Sequence, residues 1–187
     1  MSLLPRVRIR ELALHVRDTL RTGINAQITA AIAEATGTPP ASGLATIGNT
    51  TAQIELGDSA DYEPILYPSL RLAAPRVRLQ PFSSAAVTDA EITLLLGIYT
   101  QATAGSGECA GDLIKSLMET TLDLCASVRA CLEEDYSSAT FGDRLLVLGY
   151  EQTTAPQDVD NPCVLRQRYE MTIQIMIRAR HSRGATT

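Results

Sequence analysis

The sequence predicts a single α+β domain in which a mixed, mostly antiparallel β-sheet packs against long amphipathic helices. Two long segments repeat apolar residues at helical spacing, and two others alternate apolar and polar residues as strands do. At 187 residues the chain has the length of one domain with one compact core.

The first predicted helix covers residues 11–35, because apolar side chains recur there at every fourth position. These side chains are Leu12, Val16, Leu20, Ile24, Ile28 and Ile32. Gly23 weakens the middle of the helix, and Gly37 followed by Pro39 and Pro40 supplies its end.

The second predicted helix covers residues 112–134 and has the clearest pattern in the chain. Its core-facing residues fall at spacings of three and four: Leu113, Leu117, Thr121, Leu124, Val128, Cys131 and Leu132. Ile114 and Leu122 widen this apolar stripe. The helix should therefore lie across the sheet.

Two long strands are predicted at residues 91–102 and 164–180, because apolar residues occupy every second position there. In the last strand one face carries Tyr169, Met171, Ile173, Ile175 and Ile177, and the other carries Arg166, Arg168, Glu170, Thr172 and Gln174. Residues 144–150 form a further strand. Short apolar runs between residues 65 and 79 are interrupted by prolines, which confine them to strand ends or sheet edges because proline donates no ladder hydrogen bond.

The remaining segments divide the single domain into four parts. An N-terminal arm and helix occupy residues 1–35, and an extended loop or hairpin excursion occupies residues 36–64, with Gly48 and Asn49 near its turn. The sheet and helix core spans residues 65–180. Residues 181–187 are predicted to be a flexible tail.

The charge and cysteine content exclude several classes of function. A net charge of −5 argues against a sequence-independent grip on DNA phosphates, which needs clustered Lys and Arg. The four cysteines, which are Cys109, Cys125, Cys131 and Cys163, show no CxxC spacing, so no metal site and no cofactor are expected. We also expect no signal peptide and no membrane span, since no apolar run is long enough for either.

No recognised catalytic motif occurs in the sequence. Phosphate-binding glycine loops and a GxSxG elbow are missing. The histidines, His15 and His181, lie on a predicted helix face and in the tail, so neither supplies a base for a nucleophile. Paired carboxylates occur at Asp158 with Asp160 and in the run Glu133, Glu134 and Asp135, but adjacency in sequence does not place them in a pocket. The sequence therefore indicates a protein that is not an enzyme.

The order of predicted elements in the second half of the chain is similar to that of a known protein family. Edge strands are followed by a long alternating strand, a long helix with an acidic end, a strand, a polar loop and a long final strand. The residues that carry the pattern are 112–117 and 128–132 in the helix, 141–144 at the small corner, and 145–150 and 169–175 in the strands. This order, over about residues 64–180, resembles the tail-terminator or tail-completion family of tailed bacteriophages.

The resemblance implies a structural virion protein. Such a subunit would form a hexameric ring at the head-proximal end of the tail, where it would cap the tail tube and join it to the head connector or stopper. Its partners would be further copies of itself, the tail tube protein and the connector, with DNA passing through the channel without sequence-specific binding. It would be found in the host cytoplasm during assembly and then in the virion.

Within that interpretation two sets of residues are candidate sites. A channel for DNA should be acidic or neutral so that phosphates do not adhere to it. The candidate lumen-facing residues are Glu133, Glu134 and Asp135. A ring closed by head-to-tail contacts needs two different patches on each subunit. The candidate subunit-interface residues are Arg144, Arg166, Arg168 and Glu170.

Three other interpretations remain open at this stage. The chain could be another neck component, such as a head–tail connector or stopper, or a baseplate protein. It could be a cellular adaptor dimer, which suits a single acidic domain equally well. It could also be a small enzyme that uses Cys109 or the loop with Asp158 and Asp160.

Overall fold

The computed structural model describes residues 9–34, 44–57, 64–73, 76–79, 87–103, 110–135, 145–146, 150–151, 157–158 and 164–180. Within these ranges the helices are α1 (Ile9–Glu34), α2 (Thr50–Gln53) and α3 (Ala110–Asp135). The strands are β1 (Ile54–Leu56), β2 (Ser69–Leu72), β3 (Arg76–Leu79), β4 (Val87–Thr103), β5 (Leu145–Leu146), β6 (Tyr150–Glu151), β7 (Gln157–Asp158) and β8 (Val164–Arg180). The predicted α+β class is confirmed.

β4 and β8 form the centre of the sheet. They pair antiparallel along all 17 residues of each strand, from Val87 opposite Arg180 to Thr103 opposite Val164. β2 and β3 pair antiparallel with the other edge of β4, and β1 pairs in parallel with β2. β5, β6 and β7 pair antiparallel with the outer edge of β8. The sheet is thus mixed and mostly antiparallel, as the sequence predicted.

The two faces of the central pair differ in chemistry because successive side chains of a strand point to opposite faces. On the face that packs against the helices, Ile92 lies opposite Ile175, Leu94 opposite Ile173 and Leu96 opposite Met171, and all six are buried. They join one core with the buried stripes of α1 and α3. The alternation predicted for the last strand is confirmed, since Tyr169, Met171, Ile173 and Ile175 are buried together on this face.

The edge-strand prediction is wrong for β2. This strand lies between β1 and β4, and residues 65–67 are not in a strand. The prolines do not prevent this position, because Pro64 and Pro68 both precede Ser69, the first residue of β2, and no ladder donor is lost.

The hairpin expected within residues 36–64 is also absent from its described part, residues 44–57. Asn49 caps a helical turn instead, with its side-chain oxygen accepting a hydrogen bond from the backbone nitrogen of Ala52 at 3.1 Å. The chain then enters β1, whose partner is the later strand β2. Residues 36–43 and 58–63 of the excursion, and the tail at 181–187, lie outside the described residues.

Two polar side chains of α1 hold this segment against the helix. The Asn25 amide donates to the carbonyl oxygen of Ile47 at 3.0 Å and accepts from its backbone nitrogen at 2.8 Å. Arg21 donates from Nε to the carbonyl oxygen of Ile54 at 2.9 Å and forms an ion pair with Glu55. Since Arg21 and Asn25 are one helical turn apart, they fasten both ends of α2 to one face of α1.

Gly23 lies where α1 packs closely against α3. A Cβ atom at this position would be 2.8 Å from Sγ of Cys131, which is shorter than a normal contact. The helix nevertheless runs without a break from Ile9 to Glu34, so the weakening expected from the glycine does not interrupt it. The missing side chain instead makes room for the buried sulfur of α3.

Gly23→Ala should therefore stabilise the chain in a Cys131→Ala background but not in the native one. In the native chain, overpacking costs about 1–3 kcal/mol, which cancels or outweighs the gain of about 1 kcal/mol in helix propensity. In a Cys131→Ala background the sulfur is gone, and Gly23→Ala should raise the free energy of unfolding by about 1 kcal/mol. A four-variant cycle measured by urea unfolding checks this, and an equal effect in both backgrounds would contradict the close contact.

Candidate functional site

The sheet face away from the helices carries three of the sequence-predicted interface residues. Arg166, Arg168 and Glu170 occupy alternate positions of β8 and therefore project from the same face. Their partners across the strand pair are Gln101, Tyr99 and Gly97 of β4. The structure brings these three predicted residues together, whereas Arg144 lies outside the described residues.

Arg168 has a carboxylate partner within its own chain. Its Nη2 lies 2.6 Å from Oε1 of Glu170, and both side chains are about three-quarters buried. The Arg168 guanidinium also lies over the ring of Tyr99, 5.8 Å from its centroid. Because Glu170 neutralises Arg168 locally, this part of the face presents a compact ion pair rather than a free positive charge.

Arg166 connects β8 to the segment that precedes β2. Its Nε donates to Oε1 of Gln101 at 3.2 Å, and its guanidinium lies 5.4 Å from the centroid of the Tyr67 ring. A cation over an aromatic ring at an exposed site contributes about 0.5–1 kcal/mol. Arg166 therefore holds Tyr67 on the face opposite the helices.

Two large apolar side chains next to Tyr67 are exposed to solvent. Ile65 is 96% exposed and Leu66 is 48% exposed, although Pro64 just before them is buried. We refer to Ile65 and Leu66 as the loop patch. Sequence reasoning assigned this pair to an edge strand, whereas residues 65–67 are not in a strand.

A second exposed apolar surface lies on α3. Ile114, Met118 and Leu122 are 40%, 42% and 53% exposed and follow one another at intervals of four residues, which places them along one side of the helix. We refer to these three residues as the α3 stripe. Ile114 and Leu122 were expected to widen the apolar stripe of α3 that faces the core, but both are exposed. The other predicted core-facing residues are all buried: Leu113, Leu117, Thr121, Leu124, Val128, Cys131 and Leu132.

A shallow groove runs beside the α3 stripe toward β8. It is lined by Met118, Thr121, Leu122, Gln167 and Tyr169. At its base the hydroxyls of Thr100 and Thr121 are 2.6 Å apart, and Thr121 Oγ1 lies 3.3 Å from Oε1 of Gln167. The groove thus combines an apolar rim with a polar base whose groups are already hydrogen-bonded.

Two carboxylates, Glu119 and Asp123, accompany the α3 stripe. Partial burial raises the pKa of Asp123, and the neighbouring Glu119 carboxylate raises it further. Lys115 is near Glu119, with Nζ 3.9 Å from Oε1, but its side chain is largely exposed. The charge beside this apolar surface is therefore predominantly negative.

The acidic end of α3 makes contacts within the chain. Oε1 of Glu133 accepts a hydrogen bond from Nε of Arg129 at 2.6 Å, one helical turn earlier. Oε2 of Glu134 accepts from Nε2 of Gln27 at 2.5 Å, which connects the end of α3 to α1. Both glutamates remain exposed, and the side chain of Asp135 lies outside the described part of the chain.

The described residues offer little for catalysis. Burial raises the pKa of the Cys125 thiol to about 12, so this group is protonated at neutral pH and is a poor nucleophile. Among the described side chains, no cluster of three or more His, Cys, Asp or Glu could hold a metal ion. Cys109 and Asp160 lie outside the described ranges, and for Asp158 only the backbone is described.

No helix in the described ranges has the length and apolar character needed to cross a membrane.

Comparison with known proteins finds similarity among solved structures. No protein-family model matches the chain, and no curated protein matches it. The chain is similar to a chain of the virion of a native gene transfer agent particle, with 15% identity over 84% of this chain and 94% of that chain. The TM-score is 0.34, which does not establish a common fold.

Proposed function

We propose that this chain is a structural subunit of a phage virion that assembles with copies of itself. The observation that carries the proposal is the α3 stripe, which leaves three large apolar side chains in solvent on a helix whose inner side is fully packed. The loop patch adds a second apolar surface on another part of the fold. Contiguous exposed apolar surface on a folded domain indicates an interaction site.

The proposed assembly is a hexameric ring at the head-proximal end of the tail, which caps the tail tube and joins it to the head connector. The order of β4, α3 and β8, a long strand, a long helix and a long strand, supports this choice because it is the part of the sequence that resembles the tail-terminator family. Two different apolar surfaces on one chain also suit a ring, since head-to-tail contacts can close into a circle.

In this ring, Glu133, Glu134 and Asp135 face the channel, and Arg144, Arg166, Arg168 and Glu170 belong to the contacts between subunits. The exposed carboxylates of Glu133 and Glu134 support the first assignment, because a negative channel wall would not retain DNA in transit. Arg166 supports the second, since it lies next to the loop patch on the sheet face opposite the helices. The tail tube protein and the head connector or stopper are the proposed partners, met in the host cytoplasm and retained in the virion.

The mass of the assembled protein tests this proposal. Light scattering over a concentration series should reveal a species of six times the 20.1-kDa chain mass. Negative-stain images of that species should show a ring with six-fold symmetry. A stable dimer at every concentration would contradict the proposal and favour the adaptor interpretation.

A further inference from the structure

We propose that neighbouring copies of this chain meet head to tail, with the loop patch of one copy packed on the α3 stripe of the next. This inference rests on the proposed ring and identifies the apolar surfaces that would join its subunits. The occupant of the α3 stripe is therefore a second copy of the same chain.

The α3 stripe has the dimensions of a receiving surface for a short loop. Ile114 and Leu122 are eight residues apart, so the stripe extends about 12 Å along the helix at 1.5 Å per residue. The groove between Met118 and Tyr169 borders it toward β8. Side chains from a short loop of a neighbouring molecule could cover the stripe and enter the groove.

The loop patch is held in position before any partner binds. Nε2 of Gln53 donates to the carbonyl oxygen of Pro68 at 2.7 Å, and the hydroxyl of Ser69 donates to the carbonyl oxygen of Gln53 at 3.1 Å. Tyr67, directly after the patch, packs under Arg166, and Pro64, directly before it, is buried. Because the residues on both sides of the patch are anchored, docking its apolar side chains would order little additional backbone.

The two patches are placed for a head-to-tail contact. Tyr67, next to the loop patch, lies on the sheet face opposite the helices, whereas the α3 stripe belongs to the helical layer. The two patches of one molecule therefore belong to different parts of the fold and are available to different neighbours. A contact between unlike patches that repeats around an axis produces a ring.

Charge complementarity favours a second copy over an unrelated apolar partner. Glu119 and Asp123 accompany the α3 stripe, and Arg166 accompanies the loop patch. Docking of one patch on the other would bring the guanidinium toward these two carboxylates, which outnumber the single cation beside them, Lys115. The same contact that covers both apolar surfaces would thus also bring opposite charges together.

Site-specific photocrosslinking tests the contact in the full-length protein. Leu66 is replaced by p-benzoylphenylalanine, a photoreactive residue that inserts readily into methionine side chains, and the sample is irradiated at the concentrations used for light scattering. Products of dimer mass and above are digested with trypsin, which cleaves after Lys115 and Arg129. We expect the crosslink to fall in the peptide 116–129, which contains Met118 and Leu122.

Two further photoreactive variants test which surfaces of neighbouring chains meet. The same photoreactive residue at Ala30, an exposed position of α1, should give no interchain product in peptide 116–129. At Met118 it should react with a peptide that contains the loop patch of another chain. A Met118 product with peptide 116–129 of another chain would indicate that like patches meet, and would overturn the head-to-tail contact.

The outcomes separate this contact from the ring itself. A six-fold particle whose Leu66 crosslinks map to residues outside α3 would overturn the docking and leave the ring standing. A dimer joined through two α3 stripes would overturn both proposals. The absence of any interchain product in samples that contain the six-fold particle would also overturn the docking alone.

Discussion

Replacing Met118 and Leu122 together with glutamate should abolish assembly while leaving the single chain folded. Both side chains are exposed in the isolated chain, and glutamate is a good helix former, so the free energy of unfolding should change by no more than about 0.5 kcal/mol. In the proposed ring the same positions would be buried against the loop patch. Burial of an unpaired carboxylate costs several kcal/mol, so the association constant should fall by a factor of about 100 or more.

Light scattering of the double variant over a concentration series measures the assembly, and urea unfolding measures the fold. The matched control is Ala26→Glu combined with Ala30→Glu, which adds the same two charges at the same spacing on an exposed part of α1. The control should assemble like the native chain. Normal assembly of the Met118 and Leu122 variant would show that the α3 stripe is not an interface.

Truncation of Leu96 to alanine should destabilise the chain far more than the same change at Leu95. Leu96 lies opposite Met171 on the buried face, and its removal should cost about 2–5 kcal/mol through lost burial and a residual cavity. Leu95 lies opposite Thr172 on the other face and is only partly buried. Its truncation should cost less than half as much.

Adjacent leucines on one strand make this comparison a direct test of strand register, because a shift of one residue exchanges the two faces. Urea unfolding of both variants under identical conditions gives the two free energies. An equal cost at the two positions, or a larger cost at Leu95, would contradict the pairing of β4 with β8.

The sequence predicted those features that depend on local periodicity. The alternation in the last strand assigned Arg166, Arg168 and Glu170 to one face and Met171, Ile173 and Ile175 to the other, and the register of β8 confirms both assignments. The long helices were also predicted within two residues at each end. The spacing of apolar residues, every 3.6 residues in a helix or every second residue in a strand, can be read within one segment, because it does not depend on which other segments pack against it.

Features that depend on partners distant in sequence were missed. The short apolar runs at residues 44–56 suited a hairpin, but β1 pairs in parallel with β2, and Asn49 starts a helical turn. Arg21 and Asn25, which fix this segment, looked like ordinary polar positions of α1. A local sequence pattern does not indicate which backbone carbonyl will accept a hydrogen bond from a side chain that is distant in sequence.

The exposed apolar surface of α3 shows a second limit. Ile114 and Leu122 were assigned to a wide core-facing stripe, and Met118 was not singled out. A helical projection alone does not reveal how much of a wide apolar arc the sheet covers. The spacing of Ile114, Met118 and Leu122 at four-residue intervals was nevertheless a signal in the sequence for a separate stripe.

Binding to the end of a tail tube tests the central claim most directly. The purified, gold-labelled protein is mixed separately with tail tubes and with tail-less heads of its cognate phage, and both samples are imaged by electron microscopy. We predict label at one end of each tube and a block to further tube growth. Label on the heads alone, or no label at tube ends while the protein forms rings, would contradict the assignment as a tail-capping subunit.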